Sequence, residues 1–265
     1  MDEKALSDFY NRGLELEKAG DFDGAAEAYK LALEIDPEDH GGVSIRLASM
    51  GKGVTPASSP SAYISTLFDQ TAEMFDYILV DQLGYDVPLQ LQDRLKAVFP
   101  DRTFPYMLDL GCGTGLTGEA LIDMTVSRTG VDISQKMIEV AFEKGDYDHL
   151  FVAEALTFLK ADNRQWNLIV ATDVLPYMGA LQEFFSEIAN HLEKDGVFAF
   201  STEKADKTSN LDDYQVGKHQ RFAHNPIYIE NLLISSGLMI TSREDVVVRQ
   251  EQNAPVVGEL YVAKK

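Results

Sequence analysis

Basic residues, cysteine and long apolar runs are all scarce in this chain of 265 residues, and each scarcity excludes something. Only 23 lysines and arginines stand against 43 aspartates and glutamates, a formal net charge of −20. Recognition of a nucleic-acid backbone needs a basic footprint, and attraction to an anionic membrane surface needs one too; neither partner is expected. Cys112 is the single cysteine, so no internal disulfide and no cysteine-based metal site can form. No apolar run approaches the ~20 residues of a membrane-spanning helix. The start, Met1-Asp2-Glu3-Lys4, lacks the apolar core of a signal peptide. A cytoplasmic location is expected. The 45% hydrophobic content is ordinary for a globular chain with a real core.

Three stretches are expected: residues 1–51 helical, 52–60 a linker and 61–265 the main domain. Phe9, Gly13, Leu16, Ala25, Tyr29, Ala32 and Pro37 fall at the spacings of one 34-residue tetratricopeptide unit, with a capping helix around Val43 to Met50. Such a repeat reads either as a partner-binding groove or as a structural cap or self-association contact. Residues 1–50 hold 12 acids and 5 bases, so a protein partner would be basic. The linker is marked by its Gly, Ser and Pro content. Residues 61–100 are aromatic and apolar at helical spacing, as a helical cap or lid.

From Phe104 onward strand and helix alternate. Strands are expected at Tyr106–Leu110, Arg128–Asp132, Leu150–Ala153, Asn167–Ala171 and Val197–Phe200. Residues 203–225 read as polar and irregular, and two final strands over about Met239–Arg249 and Gly258–Ala263 as a hairpin joined by a short polar turn. The fold class expected is α/β: a three-layer, Rossmann-like sandwich with a seven-stranded, mostly parallel sheet and an antiparallel edge hairpin.

The chemistry centres on Asp109-Leu110-Gly111-Cys112-Gly113-Thr114-Gly115, a strand opening into a glycine turn. Gly113 to Gly118 also matches the GxGxxG dinucleotide fingerprint, with Asp132 near the distance of a ribose-binding acid, so an NAD(P)-dependent oxidoreductase is one alternative. A pyrophosphate prefers backbone N–H groups and a helix N-terminus, and the Asp109 carboxylate would repel it. An adenosine with a cationic tail, the form of S-adenosylmethionine, suits both features.

This stretch resembles the first motif of class I S-adenosylmethionine-dependent methyltransferases. The resemblance continues through Gly130-Val131-Asp132-Ile133-Ser134, Met137, Ala153-Glu154-Ala155 and Asn167 to Leu175. With the N-terminal repeat, the chain is similar to a group of predicted bacterial methyltransferases. The resemblance implies that Gly111, Gly113 and Gly115 let the backbone pass under the methionyl part of the cofactor, with Cys112 among the cofactor contacts and Asp109 near the amino group. It implies that Asp132 accepts the ribose hydroxyls and that Ile133 and Met137 flank the adenine. Glu154, with Ala155 and Leu156, would meet the adenine amino group, while Thr172 and Asp173 would face the transferring methyl.

For the acceptor, taken to be a small molecule, the catalytic candidates are His224, Tyr177 and Asp173, with His224 favoured as a general base. Tyr63, Tyr85 and Arg221 are the acceptor-contact candidates, Arg221 for a carboxylate. Metal binding by His219 and His224 with Asp212 or Asp213 is conceivable from composition, but the spacing is irregular and no metal is expected. A cofactor-sensing scaffold, or a protein methyltransferase recruiting its partner through residues 1–50, are the further alternatives.

Overall fold

The computed structural model describes residues 2–205, 213–251 and 254–265. The chain begins with α1 (Glu3–Lys18), α2 (Phe22–Ile35) and α3 (Val43–Ser49). Asp2 and Asp21 accept the Ala5 and Gly24 N–H groups at 3.1 and 3.0 Å, satisfying amides that a helix start leaves open. A Cβ at Gly13 would run into the Tyr29 ring, so glycine lets α1 and α2 approach closely. Ala25, Tyr29, Ala32, Val43 and Leu47 close this small core.

Residues 52–60 are not a free tether. The Ser59 N–H donates to the Tyr177 carbonyl, and Gly179 and Ala180 donate to that of Ala57, all at 2.8–2.9 Å. The helical cap follows: α4 (Ser61–Thr71), a 3₁₀ turn (Ala72–Met74), a π-helical stretch (Tyr77–Gln82) and α5 (Val87–Val98). Then come β1 (Phe104–Leu110), α6 (Leu116–Ala120), a 3₁₀ turn (Ile122–Met124), β2 (Thr125–Asp132), α7 (Gln135–Lys144), β3 (His149–Val152), α8 (Ala155–Ala161) and β4 (Trp166–Ala171). A 3₁₀ turn (Leu175–Tyr177), α9 (Gln182–His191), β5 (Leu192–Glu203), β6 (Tyr214–Val216), β7 (Phe222–His224), α10 (Pro226–Ser235), β8 (Met239–Glu251) and β9 (Ala254–Lys264) complete it.

Seven strands form one sheet in the order β3-β2-β1-β4-β5-β9-β8, with β1 to β5 parallel and β9 antiparallel to both neighbours. Alternate residues feed opposite cores, as a period of two requires. Leu108, Leu110, Ile169, Ala171, Phe198 and Phe200 face the α9–α10 layer. Met107, Leu168, Val170, Val197 and Ala199 pack against α5. The chain order reverses between β1 and β4, where a cleft opens outside the strand ends.

The differences from expectation are local. The fifth strand starts before the expected Val197 and includes a bulge: Asp195 has φ 63° and the β4–β5 register slips between Trp166 and Leu168. The stretch read as irregular contains the β6–β7 hairpin, anchored by buried Phe222 against Tyr214 at 5.7 Å. Two strands of three residues carry too little alternation to be legible. The final hairpin strands, Met239–Glu251 and Ala254–Lys264, run longer than expected, and the polar turn expected between them lies outside the described residues.

Candidate functional site

The cleft at the β1–β4 switch encloses about 1010 Å³ counted out to its open mouth. The glycine turn, the ends of β2 and β4, the start of α8 and the helical cap line it. Gly111 has φ 71° and Gly113 φ 52°, conformations that cost an ordinary residue ~1–2 kcal/mol. A Cβ at Gly111 would strike the Val174 side chain. The turn therefore brings bare backbone to the cavity wall. Cys112 lines the cavity with its thiol against Gly130, and burial pushes that thiol well above its ordinary pKa. It behaves as a small packed residue and not a nucleophile.

Asp132 ends β2 on the cavity wall and is nearly fully buried. Its Oδ1 accepts the Ser134 N–H at 2.8 Å and its Oδ2 the Gly113 N–H at 2.9 Å, which aims the carboxylate. Desolvation raises its pKa to about 6 despite those bonds. Ile133, Met137, Glu154, Ala155 and Thr172 also line the cavity. Glu154 has a second duty: it caps α8, accepting the Leu156 and Thr157 N–H groups at 2.9 and 2.7 Å.

Two expected cofactor contacts lie elsewhere. Leu156 does not line the cavity; its N–H is taken by Glu154 and its side chain packs on the α9-side core. Asp109 is fully buried behind the glycine turn, off the cavity wall. Its Oδ2 accepts the Tyr147 hydroxyl at 2.6 Å, Oδ1 has no partner, and burial raises its pKa to about 7. Tyr147, unmarked by any motif, also accepts the Gly118 N–H at 3.0 Å, tying the acid to the helix after the turn.

The cap is stitched over this half of the cleft. Asp69 accepts from the Ser134 hydroxyl at 2.6 Å and the Lys136 N–H at 3.1 Å. Asp76 bonds the Thr114 hydroxyl and pairs with Lys144 at 2.5 Å. Phe68 meets Phe75 and Tyr177 edge-on at 5.9 and 5.4 Å, roofing the cavity.

The far half is charged. Asp173 lines it with φ 57°, a strained backbone for a residue with a side chain, and its N–H bonds the Ser201 hydroxyl at 2.8 Å. It does not cap the 3₁₀ turn, whose N-cap is Val174. Burial raises its pKa to about 6 while the neighbouring Arg221 charge opposes that rise. Tyr177, Tyr85 and Arg221 line the same half. Burial raises the pKa of the Tyr85 hydroxyl well above its ordinary value, and Arg221 lies over the Tyr177 ring at 5.7 Å. Burial lifts the Tyr177 hydroxyl to about 12, so it stays protonated.

His224 and Tyr63 are corrections. His224 is buried off the cavity, its Nε2 donating to the Met178 carbonyl at 2.8 Å, its ring stacked on Tyr228 and its Nδ1 unpartnered. Desolvation lowers its pKa to about 4. It holds β7 against the 3₁₀ turn and does not line the cavity. Tyr63 does not line the cavity either; its ring covers Gly42, the residue preceding α3. Among the described residues no group of three or more His, Cys, Asp and Glu side chains has the geometry to hold a metal ion, and Asp212 lies outside them.

A methyltransferase-domain family model matches residues 108–198, and a tetratricopeptide-repeat model matches residues 8–39. Over residues 108–198 the chain is similar to a methyltransferase domain. A malonyl-[acyl-carrier protein] O-methyltransferase of Enterobacter lignolyticus is 29% identical over 45% of this chain and 47% of its own length. The chain spans about half the length of the curated relatives it matches. Among solved structures, an S-adenosylmethionine-dependent methyltransferase from Clostridium acetobutylicum superposes with a TM-score of 0.54 at 22% identity, over 75% of this chain and 98% of that one. The [4+2]-cyclase SpnF does so with 0.60 at 16%, over 79% and 97%. At such identities the likeness speaks for the fold alone. The matched stretch holds the glycine turn, Asp132, Glu154 and Asp173. Arg221 and the residues around it lie beyond the matched stretch, in the segment that closes the cleft.

Proposed function

We propose that this cleft binds S-adenosylmethionine and transfers its methyl group to a small-molecule acceptor in the cytoplasm. One observation carries the reading. In the half formed by the glycine turn and β2, the only charged lining groups among the described residues are the carboxylates of Asp132 and Glu154. A dinucleotide pyrophosphate would find no basic partner there, whereas a nucleoside bearing cations relieves buried acids held in their costly ionised form. Asp132 suits a ribose diol, Ile133 and Met137 an adenine, and the bare Gly111–Gly113 backbone a methionyl tail. Asp109, behind the turn with its pKa raised to about 7, is partly ionised at neutral pH, and a cationic cofactor tail would favour its charged form. Among the described residues no helix is long and apolar enough to cross a membrane.

When bound, the cofactor supplies an electrophilic methyl on a sulfonium, which departs as a neutral thioether. The chain's own task is alignment and proton removal. Thr172 and Asp173 stand at the end of β4, where the acceptor must meet the methyl. Asp173, with a pKa of about 6, is ionised at neutral pH yet basic enough to take a proton from an acceptor hydroxyl. The aromatic roof of Phe68, Phe75 and Tyr177 excludes water. The test is incubation with methyl-labelled S-adenosylmethionine and a small-molecule cell extract. Label appearing in an extractable product, and lost in Asp173→Asn, is expected; label confined to unreacted cofactor in every fraction overturns transfer.

A further inference from the structure

The acceptor half contains a charge cluster assembled from four separate stretches, and its bookkeeping points to an acceptor class. Arg249, on β8, is 2% exposed and donates through Nη2 to Glu203 Oε1 at 2.7 Å and Glu251 Oε2 at 3.3 Å. Glu251 Oε1 faces His219 Nδ1 at 3.2 Å. Both glutamates are therefore claimed from within the protein. Arg221 reaches Glu203 Oε1 only at 3.4 Å, an oxygen Arg249 already holds more closely. A guanidinium carries five N–H donors, and Arg221 presents its own on the cavity wall. Asp173, which lines the cavity, has its Oδ1 3.7 Å from Nη1 of Arg249 behind it, beyond hydrogen-bond range, and that buried nitrogen has no hydrogen-bond partner.

We propose, resting on the methyl-transfer reading, that the acceptor is a monoanionic carboxylic acid with an apolar body and a protic nucleophile, seated by Arg221. Arg249 is the positioning residue that keeps Arg221 available. Carboxylate and guanidinium match as a planar fork, while Ile64, Phe68, Val174 and Met178 give the body an apolar wall. An amine acceptor would place a cation against Arg221. A phosphate monoester would bring a second negative charge beside Asp173, Glu203 and Glu251, where Coulomb repulsion is weakly screened. Deleting Arg249 takes from Glu203 and Glu251, both half-buried, a shared cationic partner, and Arg221 is the cation near enough to be drawn onto Glu203.

The test uses the full chain, with and without S-adenosylhomocysteine, and saturation-transfer NMR plus calorimetry. The probes are hexanoate, 3-phenylpropionate and 4-hydroxyphenylacetate, each against its amide, with tyramine and phenyl phosphate alongside. At least one acid is expected to bind tenfold or more tighter than its amide, and Arg221→Gln to erase that preference while S-adenosylhomocysteine affinity stays unchanged. Arg249→Met is expected to erase it too, and Glu203→Gln in the Arg249→Met background to restore it by releasing Arg221. That restoration is something a merely structural arginine would not produce. Equal binding of acids and amides, no binding of any acid, or a preference for tyramine or phenyl phosphate overturns the inference. A missing S-adenosylhomocysteine signal overturns the donor reading instead, and the acid preference is still read without it.

Discussion

The two halves of the cleft are built by different means. The glycine-turn half is made by one continuous stretch from β1 to β2 plus the start of α8, and its geometry is mostly backbone: three left-handed glycines, a carboxylate aimed by two amides, and a cap stitched on by Asp69 and Asp76. The far half draws Asp173, Glu203, Arg221 and Arg249 from β4, β5, the β6–β7 turn and β8, and its geometry is mostly side-chain charge. A backbone-built site is fixed by local sequence and serves one ligand across many proteins. A charge-built site assembled over long range is free to vary, as an acceptor site must.

The sharpest way to break this comparison is to remove the one side chain on which the backbone-built half depends. Asp132→Ala is expected to weaken S-adenosylmethionine binding roughly 100-fold, the scale of losing charge-assisted hydrogen bonds, with the acid-over-amide preference intact. Calorimetry reads both, and parallel loss would mean that the halves are one site.

Acidity is a property both halves share. Asp109, Asp132, Asp173 and Glu203 have pKa values raised by burial to about 7, 6, 6 and 7. A raised carboxyl stabilises the fold fully below its unfolded value, near 4, and that contribution is lost as pH rises through 6 to 7. Melting of the ligand-free protein should therefore fall in temperature between pH 5 and pH 8, and less steeply in Asp109→Asn and Glu203→Gln. An unchanged slope in both variants would show that these groups are not the source.

Much of the first half was legible in the sequence because its information is local. The order Asp109, three spaced glycines, Asp132 and Glu154 carries chain direction, backbone conformation and ligand charge together. Even so, the sequence put Asp109 against the ligand, and the structure sets it one layer behind, bonded to Tyr147. The second half was poorly legible. Glu203 and Arg249 are ordinary residues within strands, and only the pairing of β5 with β9, and β9 with β8, brings them together. His224 drew attention as a histidine in a polar loop. The β6–β7 hairpin, too short to show periodicity, turns it inward onto the Met178 carbonyl.

Two smaller effects follow from those misplacements. Tyr147→Phe takes the hydroxyl from Asp109 and should cost roughly 1 kcal/mol in cofactor affinity, read as about a fivefold weaker Kd; an unchanged Kd would make Asp109 irrelevant to binding. His224→Gln should lower stability by about 1 kcal/mol and leave the pH dependence of turnover as it was. A turnover profile losing its acidic limb would return His224 to catalysis.

Titration of the intact chain with S-adenosylmethionine, S-adenosylhomocysteine and NADH, by calorimetry at neutral pH, tests the central claim most directly. One site per chain with micromolar affinity for the two adenosyl ligands, and no heat with NADH, is the expected result. Binding of NADH with none of either adenosyl compound would contradict it.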